Sequence, residues 1–142
     1  MRTRVPSFHD GSFRPAAERP RAIVAEGDSR LRRLIVEVLL EDGFAVAEAR
    51  DGDELIALLR GAMEHRRIDA DVLFVNAELP RVNGLDALAA IGSYVDLRRA
   101  VVMASRSDET IASRARELGT RGVLDAPLDL DDLRTVAMAL VK

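Results

Sequence analysis

Four short apolar runs are each followed by residues whose types could do chemistry. Glu26, Gly27 and Asp28 follow Ala25, Asn76 and Glu78 follow Val75, Ser105 follows Ala104, and Ala126 follows Asp125. Ser105 offers a hydroxyl that can hydrogen-bond an anion, but neither histidine accompanies it, so it lacks the base that a hydrolytic nucleophile needs. Asn76 carries a neutral amide, and Ala126 carries nothing polar. The chain has no cysteine, which excludes disulfides, thiolate metal sites and thiol catalysis. His9 and His65 lie in different segments and suggest no transition-metal site. His65, within the charged stretch MEHRR, reads as part of a solvated face, and neither histidine is assigned any catalysis.

The elements that must position these residues are legible as alternating patterns. Ile23 to Ala25, Phe44 to Glu48, Val72 to Val75, Ala100 to Ala104 and Gly122 to Asp125 are the strand candidates. Between the first two, Leu31, Leu34, Ile35, Val38 and Leu39 recur at the spacing that lays one apolar stripe of a helix against a sheet. Asp28 or Ser29 can cap that helix, and Gly43 can close it in a left-handed conformation. The capping reading of Asp28 is preferred to a role in the crevice, because it needs no further assumption. Leu55, Leu58, Leu59 and Ala62 mark a second helix; Leu85, Leu88 and Ile91 mark a third, which starts after Asn83-Gly84. Ile111, Ala115 and Leu118 mark a fourth, stopped by Gly119. Leu130, Leu133, Ala137 and Leu140 mark a fifth, with Asp129, Asp131 and Asp132 at its positive end. Strand and helix alternating five times imply a parallel sheet covered on both faces, a three-layer α/β sandwich. In such sheets the functional crevice lies beyond the carboxyl ends of the strands, where the residues named above fall. Residues 1 to 20, with Pro6, Gly11, Pro15 and Pro20 and no apolar period, read as a mobile tail or a leader segment, and the folded domain spans 21 to 142.

The segments VAEGDSRLRRLIVEVLLEDGF, VLFVNAELPRVNGL, VVMASR and LDAPL, in this order and spacing, resemble the receiver domain of bacterial two-component response regulators. The resemblance covers residues 21 to 142 and implies a flavodoxin-like strand order of 2-1-3-4-5 with five helices. It also implies phosphoryl transfer to an aspartate after the third strand, with Mg²⁺ held by paired acids after the first strand. A lysine and a hydroxyl would hold the phosphoryl oxygens.

Position by position, this chain departs from that pattern. Asn76 stands at the nucleophile, and a neutral amide cannot form an acyl phosphate as a carboxylate does. Glu26 is followed by Gly27, so one acid of the pair is missing. Ala126 stands where the lysine precedes Pro127, Ser105 keeps the hydroxyl, and Val123 replaces the aromatic switch residue. Glu78 sits where the family supplies a backbone carbonyl to the metal; its side chain is expected to be a solvated loop carboxylate rather than a ligand. These losses describe a degenerate pseudo-receiver without phosphoacceptor chemistry, with weak or absent Mg²⁺ binding and no other cofactor. The expected role is signalling by protein contact, not catalysis. The competing readings are a working phosphorelay receiver with a non-standard acceptor and a small-ligand site in the emptied crevice.

Partners consistent with the resemblance are a histidine kinase or an effector. A homodimer through the fourth helix, fifth strand and fifth helix would bring Arg114, Arg116 and Arg121 near Asp129, Asp131 and Asp132 of a second copy. The 142 residues suit one domain, and 21 basic against 24 acidic residues give a net charge of -3, without the basic excess of a nucleic-acid binder. No apolar run approaches the roughly 18 residues of a membrane span, and the tail lacks the apolar stretch of a secretory signal, so the expected location is the cytoplasm. The chain stops where a receiver's last helix would end. Either it works alone through protein contacts, or an effector region has been removed after Lys142.

Overall fold

The computed structural model describes residues 19–64, 70–93, 95–105 and 108–141. His9, His65 and nearly all of the proposed tail lie outside them. The elements run β1 (Arg21–Ala25), α1 (Ser29–Glu41), β2 (Ala45–Ala49), α2 (Gly52–Glu64), β3 (Val72–Asn76), α3 (Gly84–Ile91), β4 (Ala100–Ala104), α4 (Glu109–Leu118), β5 (Gly122–Asp125) and α5 (Leu130–Leu140). A 3-10 turn at Leu97–Arg99, capped by Asp96, leads into β4 and has no counterpart in the sequence reading. The strand order is β2-β1-β3-β4-β5, and all four pairings are parallel. This is the three-layer, flavodoxin-like arrangement expected above.

Strand pleating divides the apolar residues between two cores. On one face Leu73, Val75, Ala100 and Val102 pack with Leu55 and Leu59 of α2, Leu88 and Ile91 of α3 and Ala115 of α4. On the other, Val24, Val72, Phe74, Val101 and Met103 pack with Ile35 and Leu39 of α1 and Leu133 and Ala137 of α5. The central strands β3 and β4 are therefore apolar along almost their whole length, as strands covered on both faces must be. Arg134 of α5 adds a two-pronged ion pair to Asp42 at the end of α1, at 2.7 and 2.9 Å.

The helix ends follow the expected chemistry. Asp28 is the N-cap of α1, its Oδ1 accepting from the backbone N–H of Arg30 and Leu31. Gly43 (φ 92) and Gly119 (φ 84) terminate α1 and α4 in the left-handed region. Asn83, Asp108 and Asp129 cap α3, α4 and α5. One position in the α1 stripe is corrected: Leu34 is 50% exposed. The buried line runs through Leu31, Ile35, Val36 and Leu39 instead, which rotates the helix so that Arg32 takes a place beside the core. A helix turns 100° per residue, and both stripes obey that period, so periodicity alone leaves the exact facing direction open.

Candidate functional site: a crevice closed by its own hydrogen bonds

The carboxyl ends of β1, β3 and β4 bring Glu26, Asn76 and Ser105 to one end of the sheet. The register sets Ala25 opposite Val75 and Asn76 opposite Met103, so the residues that follow are neighbours across strands. Glu26 is 3% exposed. A buried carboxylate must be paired, and both of its oxygens are used. Oε1 accepts from Nδ2 of Asn76 at 2.8 Å, and Oε2 accepts from the backbone N–H of Asp28 at 3.0 Å. Asn76 Oδ1 in turn accepts from the backbone N–H of Glu78 at 2.8 Å. The amide thus gives a donor to the acid and an acceptor to the loop, a division of labour that a carboxylate cannot reproduce.

Beyond Asn76, the β3–α3 loop is tied to its surroundings. The Ser105 hydroxyl donates to Oε1 of Glu78, joining this loop to the end of β4. Arg81, in a left-handed conformation (φ 70), bonds Asp53 at the start of α2 at 2.9 Å, and the N–H of Gly52 donates to the Pro80 carbonyl. Gly84 lets α3 start hard against β3, where a Cβ would lie 2.1 Å from the Asn76 carbonyl oxygen.

Gly27 has a steric as well as a chemical meaning. A Cβ built there meets Cδ of Pro80 at 3.0 Å and the Arg50 carbonyl at 3.6 Å. Gly27 is therefore covered by the proline of the β3–α3 loop. Ala126 is exposed, with its N–H donating to the Ala104 carbonyl at 2.9 Å; its peptide bond to Pro127 is cis. Val123 packs against the core shared by α2, α3 and α4.

Sequence reasoning missed Arg32. Its side chain is 12% exposed; Nη1 donates to the Glu26 carbonyl at 2.7 Å and Nε to Glu48 at 3.0 Å. An arginine adjoining the buried stripe of α1 was the available signal, since a guanidinium there must find acceptors. Of the expected interface residues, Arg114 is ion-paired with Asp86 of α3 and Arg116 with Glu109 of its own helix, at 3.2 Å. Arg121, Asp131 and Asp132 are exposed, while Asp129 spends its carboxylate on the cap.

Residues 22–138 match the family model of the response regulator receiver domain. The chain belongs to the response regulator receiver family. Among curated relatives, the transcriptional regulatory protein PdtaR of Mycobacterium tuberculosis is 32% identical over 119 residues, covering 83% of this chain and 55% of that protein. The transcriptional regulatory protein CpxR of Escherichia coli is 25% identical over 120 residues, 84% of this chain and 48% of CpxR. This receiver spans about half the length of the curated relatives it matches. Of solved structures, the receiver domain of AraT from Geobacillus stearothermophilus superposes with a TM-score of 0.69 at 27% identity, covering 84% of this chain and 91% of that one. The signal receiver domain of an HD domain-containing protein from Pseudomonas fluorescens Pf-5 reaches 0.76 at 18% identity, over 87% and 95%. Among the described residues no helix is long and apolar enough to cross a membrane.

Proposed function

We propose that this receiver is a pseudo-receiver: a two-component signalling module that works through protein contacts and does not take up a phosphoryl group. The observation that carries the reading is the Asn76–Glu26 hydrogen bond. It consumes the one acid retained from the metal-binding pair and places an amide nitrogen, a donor, where the chemistry requires an anionic oxygen. Mg²⁺ fits this donor set poorly. Both Glu26 carboxylate oxygens already accept a hydrogen bond, Glu78 is engaged by Ser105, and Gly27 supplies no ligand. Ala126 leaves a developing phosphoryl charge without a cation. A non-standard acceptor finds no support, because Asp28 is used as a cap and the Ser105 hydroxyl is already donated.

Contacts with a kinase or effector, or with a second copy, are assigned to the face of α4, β5 and α5. With Arg114 and Arg116 paired within the chain, Arg121, Asp131 and Asp132 are the expected interface charges left for that contact. The test is intact-mass measurement after incubation with Mg²⁺ and acetyl phosphate, with light scattering on the same sample. The expected result is an unchanged covalent mass and one molar mass before and after treatment. A gain of one phosphoryl group, or assembly that appears only with the phosphodonor, overturns the reading.

A further inference from the structure

Helix α1 carries its charges against its own dipole. Acids are favoured at a helix start and bases at its end, because of the partial charges on the free N–H and C=O groups there. The other four helices begin with acids. The first turn of α1 has no acid and its last turn no base; Arg30 and Arg33 stand towards its start, Glu37 and Glu41 towards its end. All four are exposed, and none of them makes an ion pair with another of the described residues. Arg33 and Glu37 are four apart, but with the base first, which is the weaker order for a pair within one helix. The same face carries uncovered apolar groups. Arg30, Leu34, Glu37 and Glu41 recur at spacings of four, three and four, one stripe along a helix, and Leu40 borders it. Leu34, Leu40 and, on α5, Met138 are the exposed large apolar side chains of the described residues. Because α1 and α5 cover the same face of the sheet, all three gather on one side of the molecule.

We propose that the outer face of α1 is a docking surface for a second copy of this chain, the two α1 helices lying antiparallel across a two-fold axis. With the axis near the middle of the helix, at Ile35, Arg33 of one copy falls opposite Glu37 of the other, and Arg30 opposite Leu40 and Glu41. Arg33 then meets Glu37 and Arg30 meets Glu41, each pair twice over by symmetry. Leu34 lies beside the axis and is covered by the same face of its copy. A partner of a single charge sign would satisfy half of the stripe and repel the other half, whereas a copy satisfies both halves at once. Each basic helix start also comes beside an acidic helix end, which offsets the charge order that α1 bears alone. The pairing makes no use of the crevice, and it leaves the face of α4, β5 and α5 open to a kinase or effector.

The test is sedimentation equilibrium of the whole chain without any phosphodonor, from about 5 to about 500 µM, the range in which small polar interfaces assemble. A monomer–dimer equilibrium that weakens as salt is raised is expected. Arg33→Glu and Glu37→Arg each set like charges opposite each other, and each should weaken the dimer about tenfold or more. Both side chains are exposed, so the fold should survive either change, and circular dichroism checks it. The two single variants mixed together should associate again, because the Arg33–Glu37 positions are then opposite in sign across the axis. The doubly substituted chain should do so for the same reason. Leu34→Lys should dissociate the dimer, while Arg121→Glu, on the side of α4, β5 and α5, should leave it intact. A monomer at every concentration, single variants that do not recover one another when mixed, or equal loss in Arg121→Glu overturns the proposal.

Discussion

Asn76 is the residue on which the proposed loss of phosphoacceptor chemistry turns, and its two hydrogen bonds fix what a substitution there would do. An aspartate in its place would set a carboxylate oxygen against Glu26 Oε1 at the distance now occupied by the amide bond, 2.8 Å. Two carboxylates that close repel each other, and the substitution exchanges a hydrogen bond for that repulsion. Asn76→Asp is therefore expected to be about 1–3 kcal/mol less stable than wild type at pH 7. Urea unfolding of the two proteins reads this directly. The variant is also expected to remain a poor phosphoacceptor, because Gly27 and Ala126 still withhold charge.

At the scale of elements, the two loops that flank the crevice meet closely at Gly27. Gly27→Asp would set a Cβ 3.0 Å from Cδ of Pro80, so the ring must give by a few tenths of an ångström. Overpacking of this kind typically costs about 1–3 kcal/mol. A double-mutant cycle with Pro80→Ala should recover about 1 kcal/mol or more of that loss, whereas strict additivity would mean that the loops do not press on each other there. The start of α2 carries a pH-dependent device. Asp51 accepts the Glu54 N–H, while Glu54 accepts from the side chain and backbone N–H of Arg50, a variation on the capping box. Hydrogen bonds from the Arg50 guanidinium, then from its backbone, push the Glu54 carboxyl down from 4.5 to about 2. Because the folded-state value is depressed, the stabilisation is present above about pH 4.5 and lost as pH falls towards 2. Carbon-detected NMR titration of the Glu54 carboxyl should show that low midpoint, and Glu54→Gln should remove the stability change in the same window.

For the molecule as a whole, the sheet and its helices were legible because their signals are local. Val72 and Phe74 alternate with Leu73 and Val75, Asp28 and Asn83 stand where caps must, and Gly43 and Gly119 stand where helices end. Parallel strands then leave few topologies, and the strand order among them came from the family resemblance. The positions proposed to be degenerate are single residues compared with a family pattern, so they too could be named in advance. Their mutual arrangement could not. The Asn76–Glu26, Ser105–Glu78 and Arg114–Asp86 contacts join residues 27 to 50 positions apart, and the choice among several acceptors for each donor is made only by the packed loops. Leu34 escaped for a related reason: helix period identifies a stripe, but the neighbours decide which edge of it is covered.

The pseudo-receiver reading needs the Asn76 amide donated to Glu26 and closed to metal. NMR of the Asn76 side-chain amide during a Mg²⁺ titration into the millimolar range tests this most directly. Two resolved, slowly exchanging amide protons whose shifts do not follow the metal are expected. A saturating Mg²⁺-dependent shift of that amide, accompanied by the Glu26 and Glu78 backbone signals, would contradict it.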